Sequence, residues 1–159
     1  MKVADLKLVD LLPEQVIAPD LKAQNKTEVL KELVDLLYKE GKIKDQERAL
    51  EVLLDRERLG STGVGYGIAI PHGKFNDIKS LIAAFGRSRQ GIDFDSVDHK
   101  PVHIFFLFLA PEHEAQLHLR VLARSCRLLK RDTFRESLMQ AESAAEILKI
   151  IGREEGAMP

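Results

Sequence analysis

Val102-His-Ile-Phe-Phe-Leu-Phe-Leu-Ala110 is an almost unbroken apolar run, and its reading decides the fold. A strand with one wet face alternates polar and apolar residues, whereas a run this continuous belongs to a central strand covered on both faces. The flanking sequence supplies the covering layers. Upstream, Leu30, Leu33, Val34 and Leu37 form an apolar stripe on a helix from about Lys26 to Glu40, with Asn25 and Glu28 as a capping pair and Gly41 as the stop. A second helix runs from about Asp45 to Leu59, with Ala49, Leu50, Leu53 and Leu54 inward and Gly60 ending it. Ile68-Ala-Ile70 and Leu81–Gly86 read as shorter buried strands. Three helices follow the long strand, the first from near Glu114, the others from capping boxes at Thr133-x-x-Glu136 and Ser143-x-x-Glu146. Helices interleaved with buried strands predict an α/β protein, a single domain whose mixed sheet carries helices on both faces as a three-layer sandwich.

Composition narrows the function classes. At 159 residues the chain fits one domain, 1–159, and its 45% hydrophobic and 31% charged residues are globular. No apolar run approaches the roughly 18–20 residues that span a bilayer, so no stable membrane insertion is expected. Met1-Lys-Val-Ala-Asp5 lacks a leader core, so a soluble, cytoplasmic protein is expected. A net charge of −1 and 6% aromatics give no nucleic-acid footprint. Arg120, Arg124, Arg127, Lys130 and Arg131 concentrate positive charge on one predicted helix, read as a solvated face with docking as the alternative. The single cysteine, Cys126, sits among leucines as a small hydrophobe. With one thiol, and five histidines at no tight ligand spacing, no metal and no cofactor are expected.

Gly60-Ser-Thr-Gly-Val-Gly-Tyr-Gly67 holds four glycines in eight residues. It is not a P-loop, because Gly65 leads to Tyr66 and Gly67 where Lys and Ser/Thr are needed. Neither is it a dinucleotide fingerprint: Gly63-x-Gly65 leads to Ile68 and Gly65-x-Gly67 leads to Ile70. What the tract offers is backbone N–H groups in a turn, an anion-binding concavity. Beyond the following strand stands His72, its approach set by Pro71 and its far side left open by Gly73. A histidine near its ordinary pKa of about 6.5 is largely neutral at cytosolic pH and keeps one ring nitrogen able to attack. On spacing alone, a mere surface or hydrogen-bonded histidine is the preferred reading.

Arg56-Glu-Arg-Leu-Gly-Ser-Thr-Gly-Val-Gly-Tyr-Gly-Ile-Ala-Ile-Pro-His-Gly-Lys74 resembles the signature of enzyme IIA domains of the phosphoenolpyruvate-dependent sugar phosphotransferase system, fructose/mannitol class, which includes the nitrogen-regulatory IIA proteins. Gly91-Ile-Asp-Phe-Asp-Ser-Val-Asp98, Pro101-Val102 and His118-Leu-Arg-Val-Leu-Ala123 carry the same resemblance, so that it covers about Val16 to Ile151. The resemblance implies a phosphotransferase that works as a phosphocarrier. His72 is then the nucleophile, His118 the second active-site histidine and Arg56 the active-site arginine. Thr62 and the amides of Gly63, Gly65 and Gly67 are further candidate phosphate donors. The donor implied is an HPr-like phosphocarrier protein, and the acceptor a IIB domain or regulatory target proteins. Transfer between nitrogens needs an in-line approach and neutralised oxygens, work suited to an arginine that grips two oxygens.

Three roles follow from the resemblance. Ile70-Pro-His-Gly-Lys74 is most like the nitrogen-regulatory proteins, which implies a signalling module. A sugar-transport component passing phosphate to a separate IIB domain for fructose or mannitol is the alternative, and a non-catalytic binding module of the same fold the third. Tyr66 stands where a polar residue, often asparagine, is expected, at the rim of the phosphate pocket. His99, His103 and His113 receive no role.

Overall fold

The structure, a computed structural model, describes residues 6–158; the leader reading at Met1–Asp5 lies outside the described residues. Six strands form one mixed sheet: β1 (Ile17–Ala18), β2 (Gly63–Gly65), β3 (Ile68–Ala69), β4 (His72–Lys74), β5 (Ile82–Ile92) and β6 (Val102–Ala110). Five α-helices accompany them: α1 (Lys26–Lys39), α2 (Gln46–Arg58), α3 (Ala115–Leu129), α4 (Asp132–Gln140) and α5 (Ala144–Gly156). The strand order is β1-β5-β6-β3-β2, and β4 also pairs with β6. β6 is the centre. It runs antiparallel to β5 and parallel to β3 and β4 in turn, with Ile68 opposite Ile104 and His72 opposite Phe108. Every residue of β6 except His103 is buried, as its apolar run requires.

The helices cover both faces, making the three-layer α/β architecture expected from the sequence. α1 and α2 pack together against β5 and β4, while α3 lies on β6 and joins α4 and α5. The stripe of α1 is fully buried at Leu30, Leu33, Val34 and Leu37. Its cap differs in detail from the expected pair. The Asn25 side chain accepts from the Glu28 N–H, but Glu28 reaches back one residue further, to the Gln24 N–H. Ser143 caps α5 as expected. The capping box at Thr133 does not form: α4 begins one residue earlier, at Asp132, and has no side-chain cap.

β5 is longer than the sequence suggests, because Arg87 and Ser88 look like a strand's end and are buried. Arg87 has 0% exposure. Its guanidinium donates to the Pro19, Leu138, Met139 and Ala141 carbonyls, tying the end of α4 to the sheet. Nε and Nη1 carry these bonds, and Nη2 lies 3.8 Å from the Asp20 carboxylate, so the buried charge is met by carbonyl dipoles and one distant anion. The basic tract also divides. Lys130 and Arg131 lie beyond α3, and Arg124 and Arg131 pair with Glu155 and Glu154 of α5. Part of that charge therefore braces two helices and is not a free face.

Candidate functional site

The site forms at the carboxyl end of β6, where β4 and the first turns of α3 meet. Successive side chains of a strand point to opposite faces. A Cβ on Gly73 would meet Val52 Cγ1 of α2 at 2.6 Å, so Gly73 lets β4 approach α2 where an open far side was expected. Its neighbour His72 consequently faces α3. There it meets His118, the fourth residue of α3, with ring centroids 5.6 Å apart in an edge-on arrangement.

Hydrogen bonding sets the chemistry of the pair. His72 Nδ1 lies 2.8 Å from the Ile70 carbonyl. A carbonyl only accepts, so Nδ1 carries the proton and the neutral ring leaves Nε2 bare. Burial pushes the His72 pKa down, partly offset by the Ile70 bond, and the Arg56 charge lowers it further while Glu57 raises it. The imidazole is thus neutral near pH 7. His118 is 8% exposed, and its Nε2 is buried with no hydrogen-bond partner. Burial first, then His72 and Lys74, push its pKa down to about 4. An unpaired buried ring nitrogen is costly, and an incoming polar ligand can satisfy it. Arg56, in the last turn of α2, donates through Nη1 to the Gly60 carbonyl at 3.0 Å and makes no ion pair among the described residues. His72, His118 and Arg56, far apart in sequence, are therefore brought together.

The glycine residues are not. Gly67 accepts from the His103 and Ile104 N–H groups, so the tip of the β2–β3 hairpin lies four strand positions from the level of His72 at Phe108. That is about 13 Å at ~3.3 Å per residue. The concavity the tract promised does exist, but the Asp98 carboxylate fills it. Asp98 accepts from the Lys100 N–H and from the Tyr66 N–H, and these bonds lower its pKa. Gly63 N–H is likewise committed, to Ser61 Oγ, and both Thr62 donors go to Glu57. Tyr66, with φ +60, stands at this tip and away from the phosphate pocket; its ring stacks on the Arg135 guanidinium at 5.1 Å. The phosphate-binding assignments at Thr62, Gly63, Gly65 and Gly67 are corrected accordingly: the chain itself uses the first two, and the last two belong to the opposite end of the strand.

Sequence reasoning passed over Glu57 and Lys74. Lys74 is two residues from His72 on the same face of β4, and its charge reaches His118. Glu57 is a buried carboxylate in the last turn of a helix, where the dipole disfavours an anion; that mismatch was its visible signal. Among the described residues no three His, Cys, Asp or Glu side chains gather as a metal would need, and no helix is long and apolar enough to cross a membrane.

Fold and site together describe an α/β protein in which a neutral imidazole has a second imidazole 5.6 Å away and feels the charge of a guanidinium. Residues 10–154 match the family described as phosphoenolpyruvate-dependent sugar phosphotransferase system, EIIA 2, and the chain belongs to that family. It is 40% identical over 148 residues to a nitrogen regulatory protein of Bradyrhizobium diazoefficiens, covering 92% of this chain and 95% of that one. It is 38% identical over 148 residues to the fructose-specific EIIABC component of Bacillus subtilis, covering 93% of this chain and 23% of that protein's length. The crystal structure of nitrogen regulatory protein IIA-Ntr from Neisseria meningitidis superposes with a TM-score of 0.85 at 37% identity, covering 91% of this chain and 98% of the other.

Proposed function

We propose that this chain is a cytoplasmic phosphocarrier whose nucleophile is His72 Nε2. The observation that carries the reading is the Nδ1–H bond to Ile70 in a ring of lowered pKa. It leaves a bare, neutral nitrogen on a ring whose centroid is 5.6 Å from that of His118, the buried Nε2 of which has no partner among the described residues. In transfer, the Nε2 lone pair forms a bond to phosphorus as the N–P bond of an HPr-like donor's phosphohistidine breaks. The released electron pair stays on the donor's imidazole, which ends neutral once its protonation adjusts with solvent. His118 donates a ring N–H to an equatorial oxygen, and Arg56 neutralises the charge spread over the others. The group departs by the reverse attack of an acceptor's nucleophile. A phosphoryl dianion beside His118 also favours that ring's protonated form, so the site tightens around the group it holds.

The nitrogen-regulatory role is supported by the 40% and 37% identities to proteins of that name. The fructose-specific relative at 38% supports a transport role, with a IIB domain as acceptor. Incubation with a phosphorylated HPr-like protein, with and without IIB domains, separates the two. Phosphate on His72 that stays there in the presence of IIB, and alters which cytosolic proteins the chain captures, supports the regulatory role. Rapid passage to a IIB cysteine supports the carrier for sugar. No acid-labile label on the wild-type chain would overturn both.

A further inference from the structure

Lys26 and Glu57 both stand at unfavourable ends of their helices. Lys26 is the first residue of α1, and Glu57 lies in the last turn of α2, each facing a helix end of like sign. They meet: Lys26 Nζ is 2.9 Å from Glu57 Oε1 and sits 4.7 Å over the centre of the Phe94 ring. The Glu57 side chain is only 4% exposed. A carboxylate buried to that extent needs its lone pairs filled. Both remaining donors come from one residue, as Thr62 gives its N–H at 3.1 Å and its hydroxyl.

The contacts continue beyond Thr62. Its carbonyl accepts from the Ile70 N–H at 3.0 Å. The Ile70 carbonyl in turn accepts from His72 Nδ1–H at 2.8 Å. Lys26, Glu57, Thr62, Ile70 and His72 therefore form an unbroken polar path from α1 to the imidazole. The N–H and C=O of Thr62, and likewise of Ile70, belong to different peptide groups, so what the path transmits is position: holding Thr62 fixes where Ile70 sits. Histidine in water favours the proton on Nε2, so holding it on Nδ1 takes an acceptor fixed in position. On the β6 side the next carbonyl, Pro71, accepts from the Phe108 N–H at 2.9 Å, while the Thr62 carbonyl holds Ile70 itself from the hairpin side.

We infer that Glu57 is a positioning residue for His72: by holding Thr62 it fixes the Ile70 carbonyl, which keeps the His72 proton on Nδ1 and Nε2 bare. This rests on the phosphocarrier reading only for the use made of the bare nitrogen. Around His72 the charged and titratable neighbours are Arg56 and Glu57 of α2, His118 of α3 and Lys74 of β4, so the test is made at alkaline pH, where both rings are neutral.

Nitrogen-15 NMR of the full chain reports the tautomer directly, with no donor present. Wild-type His72 should be in the Nδ1–H form. Glu57→Gln keeps the volume and removes the charge; it should move a measurable fraction of His72 to the Nε2–H form. Phosphoryl uptake from the donor should slow roughly 10-fold, a usual size for loss of a supporting partner, with the donor's KM unchanged and the label still on His72. Thr62→Val deletes only the hydroxyl and leaves Glu57 paired with Lys26. It should shift the tautomer in the same direction by less, and it keeps the question answerable if Glu57→Gln does not fold. A His72 tautomer unchanged in the folded variant overturns the inference whatever the rate does, and reduces Glu57 to a brace between α1 and the hairpin. A wild-type chain that takes no label while Glu57→Gln still shifts the tautomer defeats the phosphocarrier reading and leaves this one standing.

Discussion

His72 of β4 and His103 of β6, at opposite ends of the pairing between β6 and the β3–β4 segment, look alike in their bonding and differ in everything around them. His72 gives Nδ1–H to the Ile70 carbonyl at 2.8 Å, and His103 gives Nδ1–H to the Ser88 carbonyl at 2.9 Å. Both leave Nε2 without a proton. Around His72 stand a second buried imidazole, an arginine and a tight helix contact. His103 opens instead on a groove of about 400 Å³, with Tyr66, Met139 and Arg135 on its walls and Arg135 already bonded to Asp132. A bare ring nitrogen is therefore common to both ends and does not distinguish them. What separates the two ends is unspent polar capacity: His118 Nε2 is left unpaired at one, while Asp98 has filled the glycine turn at the other.

The comparison breaks outright if the wrong histidine carries the group. His72→Ala should abolish acid-labile, base-stable phosphate on the chain, and His103→Ala should leave labelling at the wild-type rate, both read by mass spectrometry. Next in size are the flanking groups. His118→Ala and Arg56→Ala each remove a preorganised donor, at a cost of about 2.7–4 kcal/mol of barrier or roughly two to three decades in rate. Rapid-quench transfer should show this loss with the label still on His72; a wild-type rate in either variant would place that residue among the merely structural.

Proton binding sharpens the contrast further. His118 should titrate at about pH 4 in the free protein, and its pKa should rise by about 1–3 units when His72 is phosphorylated, since an opposite charge now lies close. The same depression has a consequence for stability. Between about pH 6.5 and 4 the unfolded chain binds a proton that folded His118 refuses. Stability therefore falls as pH drops through that window, and His72, shifted in the same direction, adds to the loss. Urea midpoints across the window should decline in the wild type and decline less in His118→Leu.

The smallest effect belongs to the hairpin tip. Tyr66 holds a left-handed φ of +60, a conformation asparagine adopts more easily. Its ring is still 60% exposed and its stack on Arg135 offsets part of the strain. Tyr66→Asn should change stability by less than about 1 kcal/mol and leave phosphoryl transfer untouched. A large rate effect would mean that the two ends are coupled.

Much of this was legible beforehand for an identifiable reason. The helices announce themselves because their stripes, caps and stops are local, and α1 and α5 begin where Asn25 and Ser143 say. β5 was cut short at Gly86 because a buried arginine does not look buried; the carbonyls that satisfy it come from Pro19 and the end of α4, distant in sequence. The sequence points to His72 and Arg56 through one long matching run and to His118 through a separate short one, whereas the glycine residues of the long run suggest phosphate contacts that the fold does not make.

By itself the sequence determined the layers, the central strand and the residue types of the site, since periodicity, caps and turn residues act over a few positions. Only the tertiary structure decided which polar groups remain unused. Asp98 lies some thirty residues beyond the glycine turn it occupies, and Glu57 reaches Lys26 across two helices. Hydrogen-bond capacity is a quantity that distant partners exhaust, and no local pattern records whether they have done so. His118 Nε2 is buried without a partner among the described residues, and that remainder exists only once the chain has folded.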